Sequence, residues 1–318
     1  MKPLKRIAAS VMGFLGLLVL LSCHVSSGRT YQATNVLILV IDGPRQSEMW
    51  ADPSRAHIPH LNTELAPLGT LLSGFRNSGP TYTNSGHAAI TTGFYQEIEN
   101  SNGTQLPAHA GIFQYFLRAS SLPKEKAWIV TSKDKLAILG DTTEAGWHGQ
   151  YTPSLWCGVN GGGQGSGYAE DADTVAKVKS ILAAQHPRLM LINLKQPDAA
   201  GHAGIWADYL TSLEASDAYA AEIWKTLQAD PEYAGQTAFF ITHDHGRHLD
   251  GVADGFISHG DGCEGCRRVA LLAMGPDFRP GGVVASGGEL IDLPVTVADI
   301  LGFSLPGPGG RVLTELLR

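Results

Sequence analysis

Positive charge is scarce in this chain. Its 23 lysines and arginines face 30 aspartates and glutamates, for a formal net charge of −7 over 318 residues. Such a balance provides no electrostatic footprint for a phosphate backbone, which argues against nucleic acid as a partner. Long apolar runs are lacking as well. The mostly apolar stretch at residues 8–21 would span roughly 21 Å as a helix, too short for a hydrocarbon core of about 30 Å. No internal repeat and no clear linker divides the chain, which argues against a tandem array. Cysteine is limited to four residues, with one CxxC at Cys263–Cys266, no second CxxC and no thioredoxin-like surroundings. A redox or zinc-binding pair there is therefore the less favoured reading beside a local disulfide, and Cys157 stands alone. Against these shortages, 43% hydrophobic and 17% charged residues give no sign of disorder, and the length suits one large α/β domain or two small ones. Glycine, at 38 residues, gathers in stretches such as 158–167 and 307–310, as expected of long loops on a rigid sheet.

Lys2, Lys5 and Arg6 precede the apolar stretch, which therefore reads as an export signal. It ends in Leu20-Leu21-Ser22-Cys23, which resembles a bacterial lipobox. The resemblance implies cleavage before Cys23, a lipid anchor on its thiol and a place in the bacterial cell envelope, facing the periplasm or the cell surface. Residues 1–22 are then a signal peptide, 23–34 a tether and 35–318 the main domain. Losing the signal takes the formal charge from −7 to −10, because 20 basic residues then face 30 acidic ones. Attraction for an anionic substrate must be local, and bound metal is one source of it.

Short β-branched runs alternate with helical patterns. Residues 36–41, 127–131, 189–194, 238–242 and 269–274 read as buried strands; residues 112–119, 172–184 and 209–229 read as helices. This order predicts an α/β fold with a mostly parallel central sheet and helices on both faces. In such folds functional groups collect beyond the carboxyl ends of strands. Asp42 directly follows the first run, Asp198 follows LMLINL by a few residues, and Asp244-His245 follows AFFIT. With Thr83, His202 and His259 they make seven candidate ligands: three carboxylates, three imidazoles and one hydroxyl. That mixture suits a borderline ion such as Zn²⁺ better than Ca²⁺ or Mg²⁺. Taken singly each has an ordinary reading, as a helix cap, a turn or a surface contact; Asp244-His245 is the stronger case, because charge directly after a buried strand is costly without a partner.

The stretches VIDG, PTYTNSGHAAITTGFY, PDAAGH, THDHG and SHG followed by RRVALLAMGPDF resemble, in this order, the alkaline phosphatase superfamily. The resemblance is to its nucleotide pyrophosphatase/phosphodiesterase and single-domain phosphatase branches, over about residues 35–280. It implies two zinc ions, one held by Asp198, His202 and His259, the other by Asp42, Asp244 and His245, with Thr83 beside the latter. It also implies attack by Thr83 on phosphorus through a phospho-threonine intermediate. Ser85, Thr81, Thr91 and Thr92 are rival hydroxyls; Thr83 is preferred because it aligns with the family threonine four residues before a histidine. His87 is expected to brace the loop. Sulfatases of the same fold use a modified Cys or Ser, and no Cys lies near residues 81–92.

Residues 131–139, TSKDKLAIL, resemble the K-D-R-x-A-I-L segment of phosphate-irrepressible alkaline phosphatases. The resemblance implies that Lys133 contacts a phosphoryl oxygen; Lys135 stands where that family has Arg, losing bidentate geometry. Asn100 is favoured over Asn102 for the family's phosphate-binding Asn. Additional cationic donors suit a phosphate monoester, so a small monoester is the expected substrate. A phosphodiesterase with the same metals and a non-catalytic envelope lipoprotein are the alternatives. The chain has little room for a large cap, and Trp147, Trp156 and Tyr168 with the 158–167 loop are candidates to border an open site.

Overall fold

A computed structural model describes residues 29–285 and 287–318; the export signal and Cys23 lie outside the described residues. Strand β1 (Asn35–Ile41) is buried along its whole length. Its side chains alternate between two cores: Val36, Ile38 and Val40 enter one, Leu37, Leu39 and Ile41 the other. A run that is apolar on both faces suits only the middle of a covered sheet, and β1 lies there. The other strands are β2 (Gly69–Leu72), β3 (Ala127–Thr131), β4 (Ser154–Cys157), β5 (Leu189–Leu194), β6 (Thr237–Thr242), β7 (Leu271–Met274) and β8 (Gly282–Val284). They form one eight-stranded sheet in the order β4-β3-β5-β1-β6-β7-β2-β8. All pairings are parallel except those of β7, which runs against β6 and β2.

Helices cover both faces, as the alternation of patterns predicts. Helices α1 (Thr83–Thr92), α2 (Ile112–Ser120) and, near the C-terminus, Asp292–Leu301 pack on the Val36 face. Helices α3 (Asp171–Gln185) and Trp206–Ala229 pack on the Leu37 face. Between β5 and Trp206 lies the short α4 (Asp198–Ala203), so the long helix Trp206–Ala229 is α5; α6 (Glu264–Arg267) follows β6, and Asp292–Leu301 is α7.

The expected strands and helices all form, with ends moved by one to three residues. The hydroxyl-rich segment 83–92, with Gly86 its one glycine, is not the turn that such a run of hydroxyls suggests. It is a buried helix, because its small side chains let α1 press against the loop after β6: a Cβ on Gly86 would lie 2.5 Å from the Asp244 carbonyl oxygen. Residues 31–34, expected as part of a tether, are docked. Asp277 accepts from the amides of Gln32 and Ala33, and Ala33 is buried. The loop 158–167 is held by Asp134, which accepts from the amides of Gly165 and Gly167.

Candidate metal centre

Beyond the carboxyl ends of β1, β5 and β6 the chain turns sharply, and six of the seven candidate ligands fall into two triads. In the first, Asp198 and His202 share one face of α4 by their i,i+4 spacing. His202 Nε2 lies 3.3 Å from Asp198 Oδ1 and 3.2 Å from His259 Nε2, which is itself 3.3 Å from Asp198 Oδ1. Donors at about 2.05 Å from a tetrahedral ion sit roughly 3.3 Å apart, so the triangle has the size of one face of a zinc tetrahedron. His259 donates its Nδ1 proton to the Thr81 carbonyl at 2.8 Å, which leaves the Nε2 lone pair for a metal.

The second triad is fully buried. His245 donates from Nδ1 to the Gly246 carbonyl at 2.9 Å, and its Nε2 faces Asp244 Oδ2 at 3.3 Å and Asp42 Oδ1 at 3.6 Å. Burial pushes the His245 imidazole down to about 3, with His259 also lowering it, against the raising effect of Asp244 and Asp198; its neutral, ligating form is therefore favoured. Asn193 orients Asp42 by donating to Oδ2 at 2.9 Å, and the amide of Gly43 donates to Asp244 Oδ1 at 3.2 Å. Of the remaining oxygens, Asp244 Oδ2 is buried without a hydrogen-bond partner, and Asp42 Oδ1 makes no hydrogen bond but is ion-paired to Lys133 at 2.9 Å. Two buried carboxylate oxygens outside any hydrogen bond, beside a bare imidazole nitrogen, fit a divalent ion. Gly43 is what permits this convergence. Its φ is +61°, and a Cβ there would lie 2.8 Å from His245 Cε1 and 3.0 Å from Asp198 Oδ1.

Thr83, the first residue of α1, places Oγ1 at 3.5 Å from His245 Nε2. The rival hydroxyls are committed elsewhere. Ser85 accepts from the Ile98 amide, Thr81 from the Gly262 amide, and Thr91 and Thr92 donate to carbonyls one turn back in α1. His87 donates from Nδ1 to the Thr83 carbonyl and accepts at Nε2 from Asn193, so it braces α1 against β5.

Lys133 is buried, which overturns the ordinary reading of a lysine on an exposed loop. Its ammonium lies 2.6 Å from Asp198 Oδ2, 2.9 Å from Asp42 Oδ1 and 3.2 Å from Thr83 Oγ1. Burial by itself disfavours the charge, but Asp198, Asp42 and Asp244 outweigh it and raise the pKa above the ordinary lysine value. Asp198 shows the reverse. Burial alone would raise it, yet Lys133, His202, His259 and Arg247 hold it well below the carboxylate range. Arg247 went unnoticed in the sequence, although it stands two residues from His245. It is fully buried, ion-paired to Asp198 Oδ1, and anchored to the carbonyls of Phe256 and Ile257.

Asn100 and Lys135 form a separate layer behind Thr83. Asn100 Oδ1 accepts from the Asn84 amide at 3.0 Å and from Lys135 Nζ at 3.1 Å, and Lys135 also donates to the Asn100 carbonyl. Burial, with the nearby Lys133 charge, lowers Lys135 to about 8. Trp147 does not border the site: it packs on Tyr115 at 4.2 Å and Arg118 at 4.8 Å. Tyr168 does, with Lys133 Nζ 5.9 Å from its ring centre.

The site predicts an acid-sensitive metal-free protein. His245, at about 3, and its buried neighbour His243, lowered by desolvation to about 4, titrate below the ordinary histidine value near 6.5. Between those limits the unfolded chain binds more protons, so stability falls as pH drops from about 6.5 toward 3. Urea unfolding of chelated protein at stepped pH checks this, and His245→Gln is expected to flatten that limb.

Comparison with known proteins gives a family and a fold. A family model described as the Metalloenzyme superfamily matches residues 72–305, which include every candidate ligand but Asp42. The 2,3-bisphosphoglycerate-independent phosphoglycerate mutase of Halobacterium salinarum is 30% identical over 131 residues, 41% of this chain and 24% of that protein. The chain thus spans about a quarter of the curated relatives it matches. Among solved structures, murine ectonucleotide pyrophosphatase/phosphodiesterase 5 superposes with a TM-score of 0.67 at 15% identity, over 89% of this chain and 100% of that one. A phosphonate monoester hydrolase from Silicibacter pomeroyi gives 0.61 at 17% identity, over 89% of this chain and 76% of that one. By the family match, the chain belongs to the metalloenzyme superfamily, and its fold is alkaline phosphatase-like.

Proposed function

We propose that this protein hydrolyses phosphate monoesters at a two-zinc site, with Thr83 as nucleophile. The observation that carries the reading is the placement of Thr83 Oγ1, 3.5 Å from His245 in one triad and 3.2 Å from the Lys133 ammonium that also bonds Asp198 of the other. Asp42, Asp244 and His245 would hold one ion, and Asp198, His202 and His259 the other. When bound, the ions supply positive charge that lowers the hydroxyl pKa and stabilises charge on the departing oxygen.

The chain's own residues do the rest. Thr83 Oγ1 forms a bond to phosphorus as the ester P–O bond breaks and the alcohol leaves. Water then cleaves the threonyl phosphate and releases inorganic phosphate. Lys133, within hydrogen-bond reach of Oγ1, favours its deprotonated form and donates to a phosphoryl oxygen. Both bonds to the Asn100 side chain use its oxygen, which leaves its amide nitrogen to donate to the same phosphoryl group. Lys135 acts at one remove by fixing Asn100.

Charge favours the monoester. Three carboxylates, Asp42, Asp198 and Asp244, face two cations, Lys133 and Arg247, and so leave one negative charge. Two divalent ions turn that deficit into a surplus of three positive charges. A monoester dianion with the Thr83 alkoxide matches it; a diester leaves one positive charge over. The second reading, a phosphodiesterase, is favoured by the likeness to the murine phosphodiesterase, of which an inactive threonine-to-alanine form was solved in complex with AMP.

Comparing p-nitrophenyl phosphate with its bis-ester, with chelator and with added zinc, separates the readings. We expect zinc-dependent turnover that prefers the monoester, and a loss on the order of a thousandfold or more in Thr83→Ala. Lys133→Met is expected to cost about a hundredfold on the monoester and less on the diester. A strong diester preference sinks the monoesterase reading, and no metal-dependent turnover of either ester favours a non-catalytic lipoprotein. We also propose that the protein is anchored in the cell envelope through Cys23. Metabolic labelling with palmitate, lost in Cys23→Ser, is the expected outcome.

A further inference from the structure

A third cluster of metal-type donors lies outside the two triads. His248 Nε2, Asp261 Oδ1, Cys263 Sγ and Cys266 Sγ all fall within 4.8 Å of one another. His248 is buried, and its Nε2 has no hydrogen-bond partner although it faces Asp261 Oδ1 at 3.2 Å. The other ring nitrogen explains this. Nδ1 donates to Asp254 Oδ1 at 2.9 Å, which fixes the tautomer and turns the Nε2 lone pair into the cluster. A carboxylate behind a histidine in this manner is the usual support of a ligating imidazole.

The two thiols form no disulfide: Cys263 Sγ donates to Cys266 Sγ at 3.3 Å, and Cys266 Sγ donates to Asp261 Oδ1 at 3.5 Å. A disulfide needs about 2.05 Å. Two thiolates on one tetrahedral zinc, at about 2.3 Å each, sit roughly 3.8 Å apart. The observed gap is nearer to the second value. The backbone around the cluster is also built closely. Gly246 donates to the Cys266 carbonyl at 2.8 Å, and a Cβ on Gly265 would lie 2.3 Å from the Arg247 carbonyl oxygen. The CxxC turn is therefore pressed onto the loop that carries His245 and His248, and glycine is required at the contact.

We propose that His248, Asp261, Cys263 and Cys266 bind a third, structural zinc ion that ties the His245 loop to the His259 loop. Two sulfurs, one nitrogen and one oxygen form a closed four-donor set suited to zinc and poorly suited to Mg²⁺ or Ca²⁺. Each side of the clamp lies three or four residues from a ligand of the triads: His248 from His245, and Cys263 from His259. The proposal does not depend on the phosphatase reading, because it concerns metal held by thiolates and not turnover.

Two measurements on the full chain test it. Cobalt-loaded protein should show the near-ultraviolet thiolate-to-cobalt charge-transfer absorption of a cysteine site. That band should persist in an Asp42→Asn, Asp244→Asn variant and vanish in Cys263→Ser and in Cys266→Ser. Zinc-loaded protein should carry three ions per chain by mass spectrometry of metals, and a mercurial thiol reagent should release one of them. If the cysteine variants do not fold, the wild-type cobalt spectrum and the mercurial release decide alone. The absence of the thiolate band overturns the proposal, as does a Cys263–Cys266 disulfide in the protein purified without reductant. Loss of esterase activity with the band intact counts against the phosphatase reading and leaves this one standing.

Discussion

The constraint on which the site depends is the burial of three carboxylates within a few ångströms of one another. Asp42, Asp198 and Asp244 are each less than a tenth exposed. Carboxylates withdrawn from water repel one another and lose their hydration, a cost that must be offset by cations or hydrogen bonds. Lys133 and Arg247 supply two positive charges, and Asn193 and the Gly43 amide satisfy one oxygen each on Asp42 and Asp244. What remains is one unmatched charge, with Asp244 Oδ2 and the Lys133-paired Asp42 Oδ1 outside any hydrogen bond, on the side facing His245 and Thr83. The fold has thus concentrated an electrostatic deficit at one point, where divalent ions fit.

The sheet makes that concentration possible. Parallel β5, β1 and β6 are adjacent, so their carboxyl ends deliver Asp198, Asp42 and Asp244 side by side. Regularity in the strands gives rigidity, and the chain then needs abrupt turns to aim the side chains. Gly43 supplies one at a positive φ and leaves no Cβ between His245 and Asp198. Histidines add direction: His245, His259 and His87 each spend Nδ1 on a backbone carbonyl, so that each Nε2 points to a chosen partner.

Much of this was legible in the sequence, for reasons that can be named. A covered central strand needs apolar side chains on both faces, so β1, β5 and β6 are visible as unbroken runs. Charge directly after such a run is costly, so Asp42 and Asp244-His245 stand out. Helix α1 was obscured because packing against the β6 loop selects small residues there, and those residues mimic a turn. Arg247 was obscured for a different reason. Arginine and lysine are mostly surface residues, and their value as counter-charges emerges only when the topology brings three acids together. Short strands β2, β4 and β8 carry too few residues for a periodic signal.

An acidic chain can still offer an anion a locally positive site. Net charge acts over distances that salt screens within about 8 Å, whereas Lys133, buried and ion-paired, acts at hydrogen-bond range where water is excluded. Burial raises the cost of its charge and also strengthens its attraction to Asp198 and Asp42, and the second effect prevails. A phosphoryl group reaching Thr83 would meet that ammonium at close quarters, together with whatever ions the triads hold. The surface can therefore remain acidic without weakening the site. The loop after β3, helix α1 and the Asn100 layer meet within a few ångströms of Thr83, so the positive charge is confined to that point.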